Sequence, residues 1–91
     1  MVRLLTKHDT ANSFYGKAKV DNISNTNTLV LYSYDIQVAC IEYGKLTIYH
    51  IDSNTTWRHI KEFMIQNGFL NITRKYALEM YGVKKEEEEV W

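Results

Sequence analysis

At Asp52-Ser53-Asn54 the spacing of apolar residues changes from two to about 3.6, and this change confines the chain to strands first and helices second. Upstream, Phe14, Ala18 and Val20 alternate with Tyr15, Lys17 and Lys19, the signature of a half-buried strand beginning near Ser13. The polar stretch 21–27 is rich in side chains that bond their own backbone and reads as a loop. Thr28 to Tyr34 and Val38 to Tyr43 are β-branched and aromatic enough for two more strands, joined by Asp35-Ile36-Gln37. Gly44-Lys45 fits a two-residue hairpin loop leading into a fourth strand, Leu46 to Ile51, and places Ile41 opposite Ile48 and Cys40 opposite Tyr49.

Downstream, Trp57, Ile60, Phe63, Met64 and Asn67 share one face of a helix that Asn54 or Thr55 can cap, with Gly68 as its left-handed stop. A second, shorter helix is predicted from about Thr73, with Tyr76, Ala77, Met80 and Tyr81 on its inner side and Gly82 as its end. The fold class is therefore α+β: an antiparallel four-stranded sheet (β-meander) followed by two helices packed on one face. With 91 residues there is room for one core. Residues 1–11 read as an N-terminal arm, 12–82 as the domain, with strands within 13–51 and helices within 55–82, and 83–91 as a charged, Glu-rich tail. At this size the core is thin, so a homodimer would gain stability.

Strand parity has a functional consequence. If Ala39, Ile41, Leu46 and Ile48 face the helices with Phe14, Ala18, Leu29 and Leu31, then Tyr15, Lys17, Lys19, Tyr32, Tyr34, Cys40 and Tyr49 point the other way. Tyrosines among lysines can stack bases and hold phosphates, and they also supply large, rigid contact area to a protein partner. The plain alternative is that tyrosine is simply a good strand former. A second candidate surface lies on the first helix, where Arg58, Lys61 and Ile65 fall off the apolar stripe; the ordinary account is a solvated face with Arg58 and Glu62 as a surface pair.

The charge balance argues for a protein over a nucleic acid. Eleven basic and eleven acidic residues cancel. The helical segment 57–85 is nonetheless basic, with Arg58, Lys61, Arg74, Lys75, Lys84 and Lys85 against Glu62 and Glu79. It supports a helix-turn-helix reading only weakly, because two helices joined at Gly68 also describe an ordinary packed hairpin.

Reactive groups are scattered. His8, His50 and His59 lack the spacing of a zinc site, and His59 with Glu62 lacks a nucleophile or third ligand and reads as surface. Cys40, the single cysteine, reads as a small strand residue, and the four glycines are too dispersed to build a phosphate loop. No catalytic residue, metal or cofactor is expected. One cysteine, no apolar leader and no run long enough for a membrane span lead to an expected cytoplasmic location without membrane contact. The acidic run Glu86–Glu89 before Val90-Trp91 reads as a solvated terminus.

The stretches Asn12-Ser13-Phe14-Tyr15-Gly16-Lys17-Ala18, Leu31-Tyr32-Ser33-Tyr34 with Val38-Ala39 and Ile41, and Arg58-His59-Ile60-Lys61-Glu62-Phe63 ending in Gln66-Asn67-Gly68-Phe69 resemble a family of small uncharacterised proteins from phages and prophages of Gram-positive bacteria. The resemblance covers residues 12–69. It implies that Gly16, the Ser33-Tyr34 pair and the Arg58-His59 pair matter for fold or binding, and it brings no catalytic residue. Asp35-Ile36-Gln37 departs from the expected turn-like connection, and the second helix and tail lie beyond it. The context implies stoichiometric binding of a host or phage protein complex, for example inhibition of a defence nuclease such as a CRISPR effector. The competing expectation is a nucleic-acid-binding regulator using Lys17, Lys19, Tyr32 and Tyr49 or the basic helical segment. An enzyme ranks third.

Overall fold

The computed structural model describes residues 2–3, 17–23, 26–51 and 53–83. Phe14, Tyr15, Gly16, His8 and the Glu-rich tail, all named above, lie outside the described residues. Among the described residues five antiparallel strands follow chain order across one sheet: β1 (Val2–Arg3), β2 (Ala18–Ile23), β3 (Thr28–Ser33), β4 (Ile36–Glu42) and β5 (Lys45–Ile48). Helices α1 (Asn54–Gln66) and α2 (Arg74–Tyr81) follow. The expected four-strand meander is present as β2 to β5. Val2–Arg3 is not part of a loose arm but a fifth, two-residue edge strand, because its backbone pairs with Lys19 and Val20.

The loop expected at 21–27 is shorter. Asp21, Asn22 and Ile23 continue β2 by pairing with Val30, Leu29 and Thr28, so cross-strand pairing overrides their turn preference. The connection expected at 35–37 is also shorter: Tyr34 and Asp35 form the turn at φ +53° and +67°, and Ile36 and Gln37 already belong to β4. At the next hairpin Tyr43 and Gly44 are the central residues, at φ +51° and +79°, so Gly44 takes the second position and not the first. Two positive-φ residues give the twist that flanking strands require. Ile41 therefore pairs with Leu46 and Cys40 with Thr47, a shift of two residues along β5 that leaves the faces unchanged.

A β-bulge breaks strict alternation on β4. Leu31 pairs with Ala39 but Tyr32 pairs with Gln37, which leaves Val38 as the extra residue. Val38 and Ala39 both enter the core, where Ala18, Leu31, Ile41, Leu46 and Ile48 meet Ile60, Phe63 and Met64 of α1 and Ala77 of α2. Each of the larger side chains contributes about 1.5–3 kcal/mol through burial.

Ser53 caps α1 by accepting from the Thr56 N–H, one residue before Asn54 and two before Thr55, the two expected caps. At the far end Gly68 adopts φ +87°, its N–H donating to the Ile65 carbonyl and that of Phe69 to the Met64 carbonyl, as predicted for a left-handed stop. Helix α2 is capped by Thr73, but only its Ala77 side is buried. Tyr81 packs edge-on against Phe69 at 5.8 Å, so the inner stripe is 77/81 while Tyr76 and Met80 face solvent, contrary to expectation. Gly82 ends α2 without a left-handed conformation, at φ −70°, and its neighbour Val83 donates to the Ile48 carbonyl of β5. Among the described residues no helix is long and apolar enough to cross a membrane.

Candidate functional site

Pairing assigns the sheet face away from the helices. Lys19, Tyr32 and Gln37 form one cross-strand row; Asp21, Val30, Cys40 and Thr47 form the next. Tyr49 joins them, because its N–H bonds the Val38 carbonyl and its Oη lies 3.2 Å from Cys40 Sγ. Hydrogen bonding to the Cys40 thiol and then burial push the Tyr49 hydroxyl above its usual pKa. The predicted outward placement of Lys19, Tyr32, Cys40 and Tyr49 agrees with this arrangement. The bulge adds Gln37, which simple alternation would have turned inward.

Tyr34 is not on that face. Strand β3 stops at Ser33, and the positive φ of Tyr34 swings its ring round the sheet end to 5.8 Å from the His59 ring, tilted by 37°. The Tyr34 N–H bonds the Lys17 carbonyl at 2.9 Å, and Lys17 Nζ lies 5.6 Å from the Tyr34 ring centroid. Lys19 Nζ pairs with Asp35 Oδ1 at 3.0 Å. The turn joining β3 and β4 thus gathers Lys17, Lys19, Tyr34 and Asp35 beside Tyr32, Gln37 and Tyr49. Tyr34, Ile36 and Tyr49 are 46%, 48% and 41% exposed.

Behind the turn lies a polar cluster that departs from expectation. His59 and Glu62, read as surface, are fully buried. His59 Nδ1 is 2.8 Å from Ser33 Oγ, which is 3.5 Å from Thr56 Oγ1, and Ser53 Oγ donates to Thr56 Oγ1 at 3.2 Å. Gln66 Nε2 donates to Glu62 Oε2 at 2.6 Å. Of the residues in the two pairs singled out by the resemblance, Ser33, Tyr34 and His59 meet here. One sequence signal for His59 is its spacing: it sits three residues after Thr56 and four before Phe63, on the buried stripe. Ser33 and His59 are closed off from solvent, so their hydrogen bond holds structure and does not present a nucleophile to a substrate.

Arg58, Lys61 and Ile65 share the outward stripe of α1, the first exposed and the others half-buried. The sheet lies between this stripe and the Tyr32–Tyr49 face, so among the described residues the two candidate surfaces are separate, as the sequence reading has them. Arg74, one of the cations of the basic helical segment, directs its guanidinium to Asn54 Oδ1 and the Ile51 carbonyl, at 3.3 and 3.5 Å. A cleft of about 380 Å³ between β5 and the end of α2 is lined by Lys45, Leu46, Thr47, Met80, Tyr81, Gly82 and Val83, without a histidine or carboxylate side chain.

No curated protein and no solved structure matches the chain. A family model does match over residues 3–80, a span that contains the whole 12–69 resemblance and nearly all of α2, and the chain therefore belongs to the family of unknown function DUF8033.

Proposed function

We propose that this chain acts by stoichiometric binding of another protein, through the end of the sheet formed by the turn between β3 and β4. The carrying observation is the concentration of half-exposed Tyr34, Ile36 and Tyr49 around a turn whose residues are held from behind. Aromatic residues with little freedom left to lose are the usual anchors of protein interfaces. Local charge favours a protein over a nucleic acid: Asp35 pairs with Lys19, and Asp21 shares the sheet face with it. Inhibition of a host defence complex, such as a CRISPR effector nuclease, is the finer form of this proposal; its support is the resemblance to phage proteins.

The test is affinity capture from a Gram-positive host lysate with tagged wild-type, Tyr34→Ala/Tyr49→Ala and Arg58→Ala/Lys61→Ala chains. A partner in fixed stoichiometry, lost with the tyrosine pair and kept with the helix pair, is the expected result. Equal recovery with all three would refute this surface. Recovery of a defence nuclease, with relief of phage restriction on expression, would support the finer proposal, and its absence with unchanged restriction would remove it.

A further inference from the structure

We propose that His59 is a positioning residue: buried behind the turn between β3 and β4, it holds the Tyr34 ring in the conformation a partner meets. Its functional meaning rests on the binding proposal above. Tyr34 occupies a left-handed backbone region, at φ +53°, that bulky side chains rarely adopt and that asparagine or glycine normally fills. Contacts beyond the turn itself can offset the cost of a tyrosine there.

Those contacts converge on one imidazole. The Tyr34 ring rests 5.8 Å from the His59 ring, while Ser33, the preceding residue, places its hydroxyl 2.8 Å from His59 Nδ1. His59 thus touches the last strand residue through a hydrogen bond and the first turn residue through its ring. The Ser33, Thr56 and Ser53 hydroxyls continue the network to the cap of α1, so the rigid helix start and the turn share one set of bonds. Lys17 holds the Tyr34 N–H with its carbonyl and places its ammonium 5.6 Å from the ring centroid.

The second hairpin supplies an internal control. Tyr43 sits at the equivalent turn position at φ +51°, and its N–H bonds the Asn27 carbonyl at 3.1 Å. It is 70% exposed, and among the described residues its ring meets no other ring or cation. Two tyrosines therefore share a backbone geometry, but only Tyr34 has a buried platform.

Native-state amide exchange separates positioning from general stability. In His59→Ala the Tyr34 N–H is expected to lose about tenfold or more of its protection relative to Tyr43. His59→Phe, which keeps a ring beneath Tyr34 but loses the Ser33 hydrogen bond, is expected to show a smaller selective loss than His59→Ala. If His59→Ala does not fold, Ser33→Ala supplies the measurement: the imidazole loses its nearest hydroxyl, and a smaller but still selective loss at Tyr34 is expected. Equal loss at Tyr34 and Tyr43, or no change at either, would overturn the proposal. If the exchange pattern holds while Tyr34→Ala leaves partner capture intact, positioning stands and the binding proposal falls.

Discussion

At the scale of single residues the β3–β4 and β4–β5 turns carry the same left-handed cost but offset it unequally. A left-handed conformation costs a non-glycine residue about 1–2 kcal/mol, and asparagine tolerates it better than tyrosine. Tyr43, followed by Gly44 and lacking a ring partner among the described residues, has little to offset that cost. Tyr43→Asn is therefore expected to stabilise the fold by about 0.5–1 kcal/mol, raising the thermal midpoint by a few degrees. A lower midpoint would show that the Tyr43 ring contributes packing. Tyr49 offers a titration test. Its raised pKa means that the fold favours the neutral phenol, so this contribution is complete below about pH 10 and is lost as pH rises through the folded value. Cys40→Ala removes the largest cause of the shift. Ultraviolet difference titration should then show one tyrosine ionising at lower pH than in the wild type, and an unchanged curve would contradict the Cys40–Tyr49 hydrogen bond.

At the scale of elements, the alternating and helical periods revealed the strands of the meander and both helices, because each apolar set has only one way to face a shared core. Local details were less visible. Ser53, Asn54, Thr55 and Thr56 can all cap a helix, so side-chain type could not select Ser53. The bulge at Val38 was hidden because Val38-Ala39-Cys40-Ile41 is apolar throughout and alternation leaves no mark there. The inner side read for α2 is too wide, since Tyr76/Met80 and Ala77/Tyr81 are both apolar stripes and only docking selects Ala77/Tyr81. That docking depends on Gly82. A Cβ there would collide with the Leu78 carbonyl oxygen, which also accepts the Gly82 N–H. Gly82→Ala is expected to cost about 1–3 kcal/mol and to raise amide exchange across Arg74–Tyr81 more than across β3. Uniform loss across both elements would mean that α2 does not open as a separate unit.

For the molecule as a whole, zero net charge conceals the arrangement that decides between partners. Of the site, parity made Lys19, Tyr32 and Tyr49 legible and helical spacing carried a signal for His59, whereas the swing of Tyr34 depends on a turn conformation that no periodicity encodes. The same geometry bears on nucleic-acid binding. Lys19 pairs with Asp35, Arg74 is directed to Asn54 and the Ile51 carbonyl, and Arg58 and Lys61 lie across the sheet from the tyrosine face. Cations split between two sides cannot track one phosphate backbone, so a single strand would reach few of them at a time. Titration of a fluorescent single-stranded oligonucleotide is therefore expected to give no saturable binding at about 0.1 M salt. Asp35→Asn frees one lysine and should change that little. Saturable binding whose logarithm falls with log salt at a slope steeper than about −2 would mean that several phosphates are engaged together. Tyr32 and Tyr49 would then be base-stacking residues, and the protein-partner proposal would give way to the nucleic-acid one.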